Sequence, residues 1–237
     1  MSARKGFIAF EGIDGAGKST QIDLLARKLE SQGITTKVLH FPRTEEPVVG
    51  ELVAMFLRGE LGGLDTVHPR LVALMFGVDR LMAREELEEL IEKGIFVISD
   101  RYTYSNIAFQ AAKLKNKQEK ERLCRWIEEL EFGRFRIPKP DLSLYLRVPS
   151  SHILDVLGSD RRTRDRDRTY LLGKADIHEA SLKLQRSVSE EYEALCKTHS
   201  DLVPIECESQ LGILVEPETI CDQIYQVLAA AGLPQRA

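Results

Sequence analysis

Gly12-Ile13-Asp14-Gly15-Ala16-Gly17-Lys18-Ser19-Thr20 is the stretch whose reading decides the fold. It fits G-x-x-x-x-G-K-[ST], the pattern of a phosphate-binding loop, the P-loop. The apolar run Phe7-Ile8-Ala9-Phe10 precedes it, and Ile22, Leu24, Leu25 and Leu29 follow within the next turns. The glycine loop therefore joins a buried strand to a helix, the setting in which the pattern has a mechanism. Gly12, Gly15 and Gly17 allow backbone N–H groups to converge on an anion without side chains in the way. A helix opening near Lys18 adds the positive end of its dipole. Lys18 then reaches outer phosphates, and the Ser19 hydroxyl is placed to ligate Mg2+.

The rest of the chain suits such a loop. Its 237 residues, 43% hydrophobic and 30% charged, are enough for one large α/β domain spanning 1–237. A net charge of −4 leaves no global positive field, so neither nucleic acid nor an anionic membrane is expected as a partner. Cys124, Cys196, Cys207 and Cys221 form no C-x-x-C pair and show no metal-ligand spacing with the five scattered histidines. They read as reduced thiols, with no metal cluster expected. No apolar run reaches 18 residues, and the run at Phe7 is too short for a signal segment, so the cytoplasm is the expected compartment.

Strand and helix signals alternate along the chain. Lys37–Phe41 reads as a second strand, which Pro42 ends. Phe41-Pro42-Arg43 then opens a loop at a strand's carboxyl end, where parallel sheets bind ligands. A helix is expected from Glu46-Pro47 to Leu57. A long one is expected from about Pro69 to Lys93, with Leu71, Leu74, Met75, Val78, Leu81 and Met82 at helical spacing and Gly94 at its end. Phe76 and Arg80 lie four apart on that helix and share a face, either as a site pair or as a core ring beside a solvent cation. Gly94–Ser99 reads as a central strand running into Asp100-Arg101-Tyr102. A carboxylate there has the form of a Walker-B position, and equally of a helix cap. Further elements are a helix over Tyr104–Lys113, a polar exposed stretch over Lys115–Glu121, and a helix carrying Leu123, Trp126, Ile127 and Leu130. They continue with a strand over Leu142–Val148, a short helix over Ser150–Leu157 and a helix over Ala180–Lys197. Last come a strand at Val203–Ile205 and a helix over Pro217–Ala230. The alternation predicts a five-stranded parallel sheet with helices on both faces.

These residues together resemble the thymidylate kinase family of P-loop nucleoside monophosphate kinases, over nearly the whole chain. The resemblance rests on the loop Glu11–Thr20 with Asp14 inside it, on Phe41-Pro42-Arg43 and on the stretch from Leu74 to Arg80. It rests also on Asp100-Arg101-Tyr102 with Ser105, Asn106, Phe109 and Gln110, on Pro138–Asp141, and on Asp176-Ile177-His178-Glu179. It implies a P-loop NTPase fold with a mobile lid over about 150–178, ATP as phosphoryl donor, Mg2+, dTMP as acceptor and a homodimer. Gly12 through Thr20 would hold ATP, and Ser19 and Asp100 would face Mg2+. Phe76 would stack on thymine and Arg80 would donate to a thymine carbonyl. Arg43 and Arg101 would hold the 5′-phosphate, and Asp14 the 3′-hydroxyl or the acceptor. Tyr102 and Phe109 would crowd the 2′ position and Asn106 would bond the base edge, with Phe41, Ser105 and Gln110 completing the pocket. Catalysis would rest on Lys18, Asp14, Asp100 and Arg101, and on lid arginines among Arg161, Arg162 and Arg164.

The chain departs from the family at two points. Some relatives carry arginine in the loop where this chain has Gly15, which would move that charge to the stretch Asp160–Arg168, itself readable as a self-paired solvated loop. His178 stands where many relatives carry an aromatic residue. Competing readings are a kinase for another nucleotide or a nucleoside, and a nucleotide-binding module without catalysis. Asp100-Arg101-Tyr102 rather than Glu-Arg-Ser favours the monophosphate over the nucleoside, and retention of Lys18 and Asp100 favours an enzyme.

Overall fold

The computed structural model describes residues 6–149, 169–174, 176–178, 181–209 and 213–233. The short helix expected over Ser150–Leu157, the arginine-rich stretch and Glu179 lie outside them.

Five strands form one parallel sheet: β1 (Phe7–Glu11), β2 (Thr36–His40), β3 (Phe96–Asp100), β4 (Leu142–Arg147) and β5 (Leu202–Glu206), in the order β2-β3-β1-β4-β5. β1 is buried along its whole length, and its alternate residues feed two different cores. Ile8 and Phe10 pack with Ile22, Ile98 and Leu144 on one face, whereas Phe7 and Ala9 pack with Leu39, Leu87 and Val97 on the other. That is the period-two geometry of a strand covered on both sides, and it explains why the sequence shows a continuous apolar run there.

The helices are α1 (Lys18–Glu30), α2 (Val49–Leu57), α3 (Pro69–Met82), α4 (Arg84–Glu92), α5 (Thr103–Ala111), α6 (Lys117–Glu128), α7 (Leu182–Cys196) and α8 (Pro217–Ala230). Pro69 and Pro217 sit in the first turns of α3 and α8, where a missing N–H costs nothing. The polar stretch after Lys115 is the first turn of α6, capped by the Asn116 side chain, which accepts from the N–H groups of Gln118 and Glu119.

Two elements depart from expectation. The helix read as continuous from Pro69 to Lys93 is two helices, α3 and α4, meeting at Ala83. Where α6 was expected to run on, the chain instead widens into a π-helical turn, Glu129–Arg134, that turns Glu131 fully inward.

Register brings the working ends together. Phe10 lies opposite Asp100, and His40 opposite Asp100 from the other side. The loops leaving β1, β2 and β3 therefore emerge side by side at the carboxyl edge, where parallel α/β sheets bind ligands. A cavity of about 590 Å³ opens there.

Candidate active site

The loop after β1 is built for an anion. Gly17 is the residue before α1 and has φ of +82°, a left-handed conformation that side chains rarely adopt. A Cβ there would meet nothing within 4 Å, so the constraint is the backbone angle rather than space. Lys18 is 1% exposed, and its Nζ donates to the carbonyls of Gly12 (3.3 Å) and Ile13 (2.8 Å), inside the loop it is expected to serve. Ser19, one residue further on the first turn of α1, lines the cavity together with Asp14 and Asp100.

Arg101 ties the loop to the end of β3. Its Nη1 donates to the Gly12 carbonyl (2.9 Å) and to Ser105 Oγ (3.2 Å), and its Nη2 to Asp14 Oδ1 (2.5 Å). Its backbone sits at φ +67°, a position that costs a non-glycine residue about 1–2 kcal/mol. The side-chain bonds and the Arg101 N–H to the Phe10 carbonyl (2.9 Å) hold it there. Beneath it, Glu11 is fully buried. Its carboxylate accepts from Ser105 Oγ, Tyr192 hydroxyl (3.1 Å) and the Tyr102 N–H (3.1 Å). Burial raises its pKa, against hydrogen bonds from Ser105 and Tyr192 and the charge of Arg101. Gln185 of α7, also fully buried, grips Asp14 twice, accepting from its N–H (3.0 Å) and donating to its Oδ2 (2.6 Å). Glu11 and Gln185 have no motif of their own. The signal available for Glu11 is a carboxylate closing an otherwise apolar strand directly before the loop.

The other half of the cavity is lined by α3 and α5. Phe76 and Arg80 share one face and both line it, and Phe76 packs as well with Val53, Phe56 and Val72. Arg80 is 3% exposed, and its Nε and Nη2 form a fork on Glu131 at 2.8 and 2.6 Å. Burial works against its charge, Glu131 outweighs burial, and its pKa ends raised. Glu131 also accepts from Thr103 Oγ1 (2.7 Å) and Asn106 Nδ2 (2.8 Å). Asn106 Nδ2 donates as well to the Ala73 carbonyl (2.9 Å). Both amide protons are thus spent on acceptors, which sets the amide's orientation and leaves Oδ1 buried with no partner among the described residues. One helical turn on, Gln110 Oε1 accepts from Lys113 Nζ (2.8 Å), and its Nε2 is left as a buried donor with no partner among the described residues.

Two sequence-derived residues carry structural work beside the cavity. Tyr102 lines it, but its ring is locked edge-on against Phe7 and Phe41 and its hydroxyl donates to the Pro138 carbonyl (2.9 Å). Arg43 reaches the cavity while held by Asp79, whose carboxylate accepts from the Arg43 N–H (3.0 Å) and Nε (3.1 Å). Phe41, one residue before the cis Phe41–Pro42 bond closes, is buried at the cavity wall.

The segment around Asp176 docks on the end of α2. Ile177 N–H donates to the Leu57 carbonyl (2.9 Å), and Arg58 donates to the Tyr170 carbonyl (2.6 Å). Gly59, at φ +74°, passes so close that a Cβ would lie 3.3 Å from Ile177 Cγ2. Docking brings His178 into the cavity wall among three rings: Phe56 edge-on at 5.3 Å, Phe109 tilted at 5.2 Å, and Phe76 nearly parallel at 6.4 Å. Burial, with Lys113 adding to it, holds His178 well below its ordinary pKa, so it is a neutral ring. Lys113 Nζ lies 3.2 Å from Nε2. The departure noted at His178 is therefore one of chemistry and not of shape.

Position by position, Asp14, Ser19, Asp100, Arg101, Ser105, Asn106, Phe109 and Gln110 line this cavity, the other residues of Gly12–Thr20 do not, and Arg161, Arg162 and Arg164 lie outside the described residues. His40 Nδ1 stands 3.1 Å from Asp100 Oδ2, a neighbour that no motif announced.

A parallel sheet with a P-loop at its central strand, Arg43 and Arg101 on the neighbouring loops and an apolar, ring-lined cavity define a P-loop phosphotransferase of the nucleotide-kinase type. The model of the thymidylate kinase family matches residues 10–216. The thymidylate kinase of Mycobacterium tuberculosis is 33% identical over 189 residues, 79% of this chain and 84% of that protein. That of Dictyostelium discoideum is 35% identical over 151 residues, 63% and 61% of the two chains. The structure of the thymidylate kinase of Candida albicans superposes with a TM-score of 0.71, covering 96% of this chain and 93% of that one, at 23% identity, a likeness of fold. This chain belongs to the thymidylate kinase family.

Proposed function

We propose that the protein transfers the γ-phosphoryl group of ATP to the 5′-phosphate of dTMP, giving dTDP and ADP. One observation carries the choice of base. Asn106 Oδ1, an acceptor, and Gln110 Nε2, a donor, are buried one turn apart on α5, unpartnered among the described residues, beside the Phe76 ring. The imide edge of thymine alternates carbonyl, N–H, carbonyl and needs donor, acceptor, donor. Arg80 stands on the facing helix as the second donor. Cytosine reverses two of those three groups and would leave buried polar atoms unpaired, a mismatch that can cost 10⁴–10⁵ in kcat/KM, whereas the 5-methyl group is worth only about 1–3 kcal/mol.

On the donor side Gly12–Thr20 cradle the ATP phosphates, and Lys18 leaves the loop carbonyls for the β- and γ-phosphates. Ser19 and Asp100 fit Mg2+: a hydroxyl on the first turn of α1 and a carboxylate at a strand end, 5% exposed, share one cavity wall and leave the remaining positions to water and phosphate. When bound, Mg2+ neutralises charge on the transferring group. Arg43 and Arg101 take the acceptor phosphate, and Asp14, held by Gln185 and Arg101, faces the sugar. Phe109, beside His178, closes the 2′ side. Transfer then needs positioning and charge neutralisation rather than a covalent intermediate. One or two of Arg161, Arg162, Arg164 and Arg166 supply the positive charge that Gly15 does not. A single alanine there should lower kcat by roughly 10²–10³ with little change in KM. If none lowers kcat, the charge belongs to Arg43 or Arg101. The outward side chains of α3, with Leu71 at 60% and Met82 at 62% exposure, suit a homodimer. Among the described residues no helix is long and apolar enough to cross a membrane.

The test is ADP release with dTMP, dUMP, dCMP, dGMP and thymidine as acceptors. The expected order is dTMP first, dUMP slower but active, and dCMP and thymidine near background. Phosphorylation of dCMP at the dTMP rate would sink the base assignment.

A further inference from the structure

Away from the cavity, α6 and the turn between α7 and β5 bring three metal-ligating side chains together. Cys124 and Glu128 lie four apart on α6 and so share a face. His199 follows α7 and meets them from 71 residues away, with Nε2 3.1 Å from Glu128 Oε1. One ligand atom from each of Cys124, Glu128 and His199 lies within 4.8 Å of the other two. Two ligands of a tetrahedral zinc ion stand about 3.3–3.8 Å apart, given Zn–N and Zn–O near 2.0–2.2 Å and Zn–S near 2.3 Å. The His199–Glu128 pair is already that close, so it is the Cys124 sulfur that has to draw in, by up to about an ångström.

The imidazole is already set for the task. His199 Nδ1 is 3.2 Å from the Leu195 carbonyl and 2.8 Å from Thr198 Oγ1. The carbonyl can only accept, so Nδ1 carries the proton and Nε2 is the nitrogen directed at Glu128. Metal-bound histidines are oriented in this way, with the distal N–H donated to a backbone carbonyl. The Tyr104 ring backs His199 edge-on at 5.4 Å, and the Tyr104 hydroxyl bonds Asp201 (3.0 Å) in the same turn. The histidine and glutamate side chains retain 19% and 29% exposure, which leaves an entry path and room for a water as fourth ligand.

We propose that Cys124, Glu128 and His199 form a binding site for a divalent transition metal, Zn2+ by ligand type, that ties α6 to the turn before β5. A thiolate, an imidazole and one carboxylate suit Zn2+ and exclude Mg2+ and Ca2+, which take oxygen ligands. On binding, the thiol and the imidazolium each lose a proton to solvent, and the ion takes both places. The site is structural, since none of the three residues lines the nucleotide cavity.

Metal-free protein titrated with Co2+ and then Zn2+ gives the test. One equivalent of Co2+ should produce the thiolate-to-cobalt charge-transfer band in the near ultraviolet, bleached by one equivalent of Zn2+. Cys124→Ser should abolish the band, and His199→Gln should weaken binding at least about tenfold, the minimum that even an outer-shell loss costs. Zn2+ should raise the melting temperature of the wild type and not of Cys124→Ser, with kcat for dTMP unchanged in both. No sulfur band in the wild type would overturn the site and leave a His199–Glu128 ion pair only. So would one-equivalent binding that persists unchanged in both variants. The wild-type spectrum decides the matter even if a variant fails to fold.

Discussion

At the scale of single residues, what distinguishes this cavity is which polar atoms are already used. Asn106 has spent both amide protons on Ala73 and Glu131 and offers only Oδ1. Asn106→Ala should therefore raise KM for dTMP by about 10–100-fold, the cost of one lost buried hydrogen bond with its partner left unpaired. Asn106→Asp should also lose preference for thymine while cytosine improves where the acid is protonated and can donate. An unchanged dTMP KM in the alanine variant would remove Asn106 from base recognition. Arg80 carries a different consequence. It is half of a fully buried ion pair, so Arg80→Ala abandons Glu131 as an uncompensated charge. Unfolding in urea should show a loss of about 3–5 kcal/mol, with part recovered when Glu131→Gln is added. A single variant with wild-type stability would show that the pair does not hold α3 against the π-helical turn. Activity loss in Arg80→Ala alone is then no measure of base contact.

At the scale of elements, the break between α3 and α4 has an identifiable cause. No glycine or proline stands near Ala83. Arg43 Nη2 donates to the Asp79 carbonyl at 3.0 Å, and the helical bond from Ala83 N–H to that same carbonyl is stretched to 3.3 Å while a second forms to Arg80 at 3.2 Å. A side-chain donor inserted into the ladder is a recognised origin of a kink. The break aligns Asp79 and Arg80 with the cavity and lets α4 turn to cover Phe7 and Val97 through Leu87 and Ile91. The π-helical turn does the complementary task on the facing side. Its extra residue rotates Glu131 inward, to gather Arg80, Thr103 and Asn106 around one carboxylate.

At the scale of the molecule, stability should carry the mark of Lys113. It sits just beyond α5, where Phe56 of α2, Gln110 of α5 and His178 of the docked segment face it, and the charge of Asp65 acts on it. Burial pulls its pKa down to about 7 from 10.5, and Asp65 only partly opposes this. A lysine with a lowered pKa binds fewer protons folded than unfolded across that window. The Lys113 contribution to stability therefore rises with pH from about 7 toward 10.5, and the full cost of holding the charge is present below 7. From pH 6 to 9 the melting temperature should have a more positive slope in the wild type than in Lys113→Met. Equal slopes in the two proteins would show that Lys113 titrates normally.

What the sequence alone determined is the local part. The P-loop, the all-apolar β1 and β3, Asp100-Arg101-Tyr102 and the five-stranded parallel sheet were legible because each is written in contiguous residues: a spacing, a period, a turn chemistry. The positions of Phe76 and Arg80 on one face followed from helical spacing alone. Tertiary structure decided the rest. Glu11, Asp79, Glu131 and Gln185 have no spacing to announce them, since their partners lie 25 to 181 residues away. The break at Ala83 comes from an arginine on another loop, and the Cys124–Glu128–His199 cluster, where no metal cluster was expected, from α6 meeting the turn after α7. Local pattern records what a segment can form. Which buried polar atoms are paired and which are left open for a ligand depends on chain segments that meet only after folding.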